Sequence, residues 1–336
     1  MLTLTCLKHL FLKQLNRYVL LLISALLLFS SPAPAQERDP DFASWLKLLR
    51  AEALAAGVSQ QTLDEALAGL KAPEPKVIAH DKKQPEKKST LQAYVATRVN
   101  QERIANGRVM LERYATELDR IERQYRVQKR FIVALWGLES SYGKGTGKHS
   151  VIAALVTLAY DERRSHYFRK ELLEALKILD AGVVSLAGMT GSWAGAMGPF
   201  QFMPTSYRHY GVDGDGDGRI DIWGSVPDAL ASAANYLAKA RWKGDQTWGR
   251  PVKLPEKFNT ALSGLSTRLP LSRWQELGVR RSNGQPLPQA NMMSSLIIPD
   301  GKNGPAYLVY GNFRALLRWN RSNSFAVSVG TLADSF

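Results

Sequence analysis

VQKRFIVALWGLESSYGKG, residues 127–145, reads as a helix that ends on a carboxylate. Val127, Phe131, Leu135 and Glu139 fall at steps of four, so Glu139 continues the face that the apolar side chains bury. Gly143 and Gly145 can stop the helix just beyond it. That leaves Glu139 partly desolvated and close to the negative end of the helix dipole, and both effects disfavour the ionised form. A carboxyl raised in this way suits general acid work near neutral pH. Periodicity alone also allows a plainer reading, with Glu139 at the helix edge in water or paired with an arginine such as Arg163.

Helical periodicity extends outward over 91–179, where Val109, Leu111, Tyr114, Leu118, Ile121 and Tyr125 predict one long amphipathic helix. Upstream, residues 41–70 predict a helical pair, the first carrying Phe42, Trp45, Leu48 and Leu49, the second capped by Ser59 and carrying Leu63 and Leu67. Residues 72–90, APEPKVIAHDKKQPEKKST, are rich in proline and lysine and predict extended surface chain. Downstream, glycines multiply past Gly191, a helix returns over Pro227–Ala240 with Pro227 in its first turn, and the chain beyond Thr247 is turn-rich until a last helix over Asn312–Trp319. The fold class is mainly α, as α+β with minor β structure.

The first 35 residues stand apart. Lys8, Lys13 and Arg17 precede an apolar run from Val19 to Phe29, then Ala33-Pro34-Ala35, which is the pattern of a signal peptide cleaved after Ala35. The run is shorter than the roughly 20 residues of a bilayer crossing. Cys6 precedes the run, so it cannot be a lipid-anchor cysteine, and disulfides and thiol catalysis are excluded from the exported part. The formal charge of +14 falls by three to +11 without the leader's cations. An exported basic protein needs an anionic partner, and export favours the carboxylate-bearing peptides of a cell wall over nucleic acid.

Two further stretches carry chemistry. GSWAGAMGPFQFMPTSY, residues 191–207, mixes glycines that permit close backbone approach, the polar Ser192, Gln201 and Ser206, and the flat faces of Trp193, Phe200, Phe202 and Tyr207. Sugar rings are held by such a mixture, although a glycine-rich turn over core aromatics has the same composition. In the acidic loop that follows, Asp213, Asp215, Asp217, Gly218 and Asp221 occupy positions 1, 3, 5, 6 and 9 of an EF-hand-type loop, with the carbonyl of Arg219 at position 7. Position 12 is Gly224 in place of the usual glutamate. A structural calcium ion is the expected occupant, with no cofactor for catalysis.

Four ordered motifs, GLESSYG at 137–143, LAYDERRSHYFRKEL at 158–172, GSWAGAMGPFQFMPTSY at 191–207 and SAANYLAKARW at 232–242, resemble the membrane-bound lytic murein transglycosylase B family, with a lysozyme-like catalytic core. The resemblance runs from about Phe42 to the C-terminus. It implies a periplasmic enzyme that cleaves the β-1,4 bond between N-acetylmuramic acid and N-acetylglucosamine in peptidoglycan and leaves a 1,6-anhydromuramic acid end. It also implies Glu139 as the catalytic residue and a substrate groove lined by Arg163, Arg164, Ser192, Met197, Gln201, Phe202, Met203 and Tyr236. Trp319 and Phe325 in WNRSNSF stand where better-known members carry tyrosines, so stacking alone is expected of them. Pro199-Phe200 departs from the glycine-containing pair common before the glutamine. For the metal loop, the family suggests closure by a later carboxylate, Asp228. The implied organisation is a leader over 1–35, a helical segment and linker over 36–90, a catalytic core over 91–255 with the metal loop at 213–228, and a C-terminal segment over 256–336 packed on the groove. A monomer acting on glycan strands, with other wall-remodelling proteins as potential partners, completes the expectation.

One carboxylate suffices for that reaction, because the muramic acid's own C6 hydroxyl closes the ring where a glycosidase would use water or a second carboxylate. Asp161 and Glu162 are the rival second carboxylates, and either one opposite Glu139 would make the chain a hydrolytic muramidase. Dispensability of Glu139 would mark a non-catalytic peptidoglycan-binding module. A nucleic-acid binder lacks any recognisable motif here.

Overall fold

The computed structural model describes residues 41–83, 89–161 and 164–336. The leader 1–35 with Cys6, and both Glu162 and Arg163, lie outside the described residues. The chain divides into two units, 1–45 and 46–336. In the first, Asp41 accepts the Ser44 backbone N–H at 3.0 Å, and the rings of Phe42 and Trp45 stack.

Helices α1 (Phe42–Ala55) and α2 (Gln60–Leu67) form the expected pair, and Ser59 Oγ caps the second by accepting the Thr62 N–H at 3.2 Å. Leu49, Ala53 and Leu63 are fully buried, whereas Leu48, expected on the same face, is exposed. In its described part, 72–83, the proline- and lysine-rich stretch is not extended chain. It contains α3 (Pro75–Lys82), which Pro75 opens and in which Val77 and Asp81 are buried. The Glu74 N–H donates to Thr157 Oγ1 at 2.9 Å, and a buried valine with a paired aspartate outweighs the poor local propensity.

Next come α4 (Leu91–Arg98), α5 (Gln101–Arg113) and α6 (Ala115–Tyr125). The single long helix expected over this stretch is broken at Tyr114, whose backbone (φ −109°, ψ 28°) leaves the helical range. Tyr114 thereby sets its ring edge-on to Trp136, with centroids 5.6 Å apart, and Val109, expected on the buried stripe, stands exposed. Helix α7 (Lys129–Ser140) is apolar on every side, with Phe131 to Leu138 all buried. A helix surrounded by others has no solvent face to keep polar.

A two-residue strand β1 (His149–Ser150) leads into α8 (Val151–Tyr160) and α9 (Ser165–Asp180) and pairs antiparallel with β2 (Thr190–Gly191). Then follow α10 (Pro204–Tyr210) and α11 (Val226–Lys239), the latter with Pro227 in its first turn as expected. The turn-rich remainder organises as β3 (Gly249–Lys253), β4 (Leu269–Pro270), α12 (Leu271–Glu276), β5 (Arg280–Arg281), β6 (Met293–Ile297) and β7 (Ala306–Val309). These strands make one antiparallel sheet in the order β4-β6-β7-β3-β5, over a core of Trp274, Leu296, Leu308 and Tyr310. The chain closes with α13 (Gly311–Trp319) and α14 (Asn323–Ala333). Helices α5, α6, α11 and α14 all pack on α7, and this cage fixes where its last turn points. The architecture is mainly helical with minor sheet. No helix among the described residues is long and apolar enough to cross a membrane.

Candidate active site

Glu139 is the penultimate residue of α7. The helix does not run on to the glycines: Ser141 (φ 51°) and Tyr142 (φ 61°) adopt the left-handed conformation directly after Ser140. Non-glycine residues hold that geometry only when their surroundings impose it. Here the Tyr142 hydroxyl donates to the Arg103 carbonyl at 2.7 Å, while the Arg103 guanidinium donates to the Gly137 carbonyl at 3.0 Å and to Ser141 Oγ at 3.2 Å. A Cβ on Gly137 would stand 2.6 Å from the Tyr142 ring, so glycine is required there. The buried Ser140 hydroxyl donates to the Pro199 carbonyl at 2.6 Å and accepts the Gly143 N–H at 2.9 Å, which ties the helix end to the 191–207 loop.

That loop is folded on itself. Met197 and Phe202 exchange two backbone hydrogen bonds of 2.8 and 2.9 Å, and Gly195, Gly198 and Gln201 have positive φ. Ser192 Oγ accepts the N–H groups of Ala194 and Ala196, and Gln201 Nε2 donates to the carbonyls of Thr146 and Gly198, both at 3.0 Å. The donor atoms of Gln201 thus shape the loop. Met203 stands half-buried at the start of α10.

Trp319, the last residue of α13, was expected to offer stacking alone. Instead its Nε1 donates to Glu139 Oε1 at 2.7 Å, so the indole N–H does what a tyrosine hydroxyl in that place would do. Its ring lies 5.3 Å from Phe202, 4.7 Å from Tyr236 and 6.3 Å from Phe200. The Tyr236 hydroxyl donates to the Arg318 carbonyl at 2.7 Å and holds the end of α13 against α11. Burial pushes the Glu139 carboxyl up to about 7, against the opposing pull of the Trp319 N–H and the positive charge of Arg98. Among the described residues no carboxylate acts on it. A carboxyl poised there, mostly buried under an aromatic cluster, can give a proton near neutrality and take one back.

Other expected residues are placed elsewhere. Arg164 pairs with the buried Asp81 and lies over the Phe168 ring, so its charge braces α3 against the start of α9. Phe325 is buried in the first turn of α14 as part of the core. Asp161 caps the end of α8. Arg98 was not expected at the site, and no local signal marks it. Helix α4 is located by Asp300, which accepts the Leu91 N–H at 2.7 Å from a turn 209 residues away in sequence.

In the acidic loop, carboxylate oxygens of Asp213, Asp215 and Asp217 lie within 4.8 Å of one another, an oxygen set suited to a hard cation. The two later carboxylates do not join them. Asp228 is buried and accepts the N–H groups of Gly214 (2.6 Å), Asp215 (3.3 Å) and Asp221 (2.6 Å), while Asp221 accepts those of Trp223 and Gly224. The Asp228 carboxylate closes the loop by accepting the loop's backbone N–H groups. A side chain at Gly224 would meet Asp221 Oδ2 at 2.6 Å, which explains why position 12 carries none.

The sequence profile of the Transglycosylase SLT domain matches residues 41–334. Membrane-bound lytic murein transglycosylase B of Escherichia coli K12 is 34% identical over 252 residues, covering 70% of this chain and 64% of its own length. The fold matches SltB3 of Pseudomonas aeruginosa, solved in complex with NAG-anhNAM-pentapeptide, at a TM-score of 0.85 and 45% identity over 88% of this chain and 79% of that one. It also matches the Escherichia coli lytic transglycosylase Slt35, solved in complex with calcium, at 0.74 and 28% identity over 88% and 93%.

Proposed function

The chain belongs to the family of the Transglycosylase SLT domain, and on that premise we propose that it is a peptidoglycan lytic transglycosylase with Glu139 as its acid and base. The observation that carries this reading is the hydrogen bond from Trp319 to a carboxyl raised to about 7, beneath the Phe202 and Tyr236 rings. Protonated Glu139 gives its proton to the glycosidic oxygen as the bond from muramic acid C1 breaks. The indole N–H steadies the carboxylate that forms, because a donor favours the charged state. The carboxylate then takes the proton of the muramic acid C6 hydroxyl as its oxygen bonds to C1, which closes the 1,6-anhydro ring and restores Glu139. Water enters neither step, and no second carboxylate is required. The ligand bound to SltB3, which carries an anhydro end, supports this product.

Ser192, Gln201, Met203 and Tyr236 form the proposed groove wall, with the Gln201 amide oxygen as an acceptor and the Tyr236 ring as a sugar platform, while the expected Met197 (0% exposed) and Phe202 (3%) are buried and support that wall from the core. Arg164 is left out because its charge is taken by Asp81. We assign the chain to the cell envelope, where its substrate lies. Asp213, Asp215 and Asp217, with the Arg219 carbonyl, are the proposed holders of a structural calcium ion, as the calcium complex of Slt35 suggests. When bound, the ion would fix the loop that follows the groove wall. Release of soluble muropeptides from purified peptidoglycan tests the reading: the protein releases them, and Glu139→Gln lowers the rate by about 10²–10⁴-fold. Equal rates would remove Glu139 from the catalysis, and no release by the protein would leave only a binding role.

A further inference from the structure

A cavity of about 580 Å³ opens beside the end of α7, bounded by the α5–α6 break, the turn after Gly143 and the Trp223 segment. Glu139 does not line it, yet it shares a wall with the candidate site. The Pro199 carbonyl on its rim accepts the Ser140 hydroxyl, and the Thr146 carbonyl accepts the Gln201 amide. Its volume lies in the range of small-ligand sites.

The charged side chains that line this cavity have one sign, beside the neutral polar Asn106, Tyr142 and Thr146. Arg113 and Lys144 line it, and neither has an ion-pair partner among the described residues. Trp136 also lines it; the side chain is 3% exposed, and its Nε1 is the only indole N–H among the described residues that is buried with no acceptor. A buried donor left in this way calls for an explanation. Nε1 is closed to solvent and lies on the Gly143 side, where a Cβ would stand 3.7 Å from it. Indole, guanidinium and ammonium groups all donate and none accepts. Around them the Tyr114 and Trp223 side chains supply apolar surface. An anionic acceptor on a short, partly aliphatic chain is the ligand that satisfies this set.

We propose that this cavity is a subsite for a carboxylate of the peptide that branches from the glycan strand, and that it recognises strands which still carry their peptides. This rests on the transglycosylase reading above and adds to it a second recognition element outside the sugar groove. The shared Pro199 and Thr146 wall gives it a physical route to the site, since a ligand seated there braces the turn that holds Gln201.

The test compares kcat/KM on peptide-bearing glycan strands and on strands stripped of peptide by an amidase, which keep only the lactyl carboxylate. The protein is expected to favour the peptide-bearing strands, and the double variant Arg113→Gln/Lys144→Gln to lose at least about fivefold of that preference, as for two charge-assisted contacts at a partly exposed site. An unchanged preference overturns the subsite. The released peptide is also titrated calorimetrically into the Glu139→Gln protein at low salt. Binding that weakens with Arg113→Gln/Lys144→Gln, and separately with Trp136→Phe, which keeps a ring and removes the N–H, supports the subsite. Absence of heat overturns it. If neither strand type is cleaved, the transglycosylase reading fails while the titration still decides the subsite.

Discussion

Replacing Trp319 by phenylalanine removes one atom group that matters and keeps a ring. The lost interaction is the 2.7 Å hydrogen bond from the indole to Glu139 Oε1. A donor to a charged acceptor at a half-buried site contributes about 1.5–3 kcal/mol to the ionised form. At 1.36 kcal/mol per pH unit, its removal raises the Glu139 pKa by about one to two units above its present value of about 7. Only the protonated carboxyl can act as the acid, so activity falls as pH rises through that pKa. In Trp319→Phe the falling limb of the kcat/KM profile, measured by chromatography of released muropeptides, moves to higher pH by that amount. The maximum also drops, because the carboxylate loses its positioning contact. Trp319→Tyr, with a hydroxyl donor, moves the limb back towards the parent. A limb that stays in place, or moves to lower pH, refutes the claim that the indole stabilises the carboxylate.

Glu139→Gln should stabilise the protein at alkaline pH. A carboxyl raised from 4.5 to about 7 favours folding fully below 4.5, and that contribution is lost as pH rises through 7, so the variant gains up to about 3 kcal/mol at pH 8 and little at pH 4. Thermal melts at the two pH values check it, and an equal gain at both contradicts the raised pKa. Calcium at about 100 times its dissociation constant should add about 2.7 kcal/mol, seen as a higher Tm that EDTA reverses. Asp217→Asn should abolish that response, and a response that survives the change moves the ion elsewhere. Asp228→Ala should cost about 1–3 kcal/mol even in EDTA, since it strands the buried Gly214 N–H and frees the part-buried N–H groups of Asp215 and Asp221; a loss seen only with calcium would make Asp228 a ligand after all. Ser140→Ala should cost about 1–3 kcal/mol in chemical denaturation by stranding the Pro199 carbonyl and the Gly143 N–H, and a neutral result would show that water replaces the hydroxyl.

How far the sequence could be read depended on the range of the interactions involved. The steps of four ending at Glu139 and the cap at Ser59 are local, and both were legible. The break at Tyr114 was not, because it is fixed by a ring contact with Trp136 on another helix. Helix α3 was hidden for the same reason: proline and lysine argue against it locally, and Thr157 and Arg164, some 80 residues on, argue for it. Within the site, Gln201 and Trp319 were found by their motifs, but the hydrogen bond between Trp319 and Glu139 spans 180 residues and needs the sheet region to bring α13 home. The positive charge of Arg98 acts on the carboxyl from α4, which Asp300 anchors, a link that no spacing records.

The most direct test of the account is the mass of the muropeptides that the protein releases from purified peptidoglycan. Products one water lighter than hydrolytic ends, absent with Glu139→Gln, are predicted by a single carboxylate that returns the proton through the substrate's own hydroxyl. Full-mass reducing ends would contradict it and require a second carboxylate opposite Glu139.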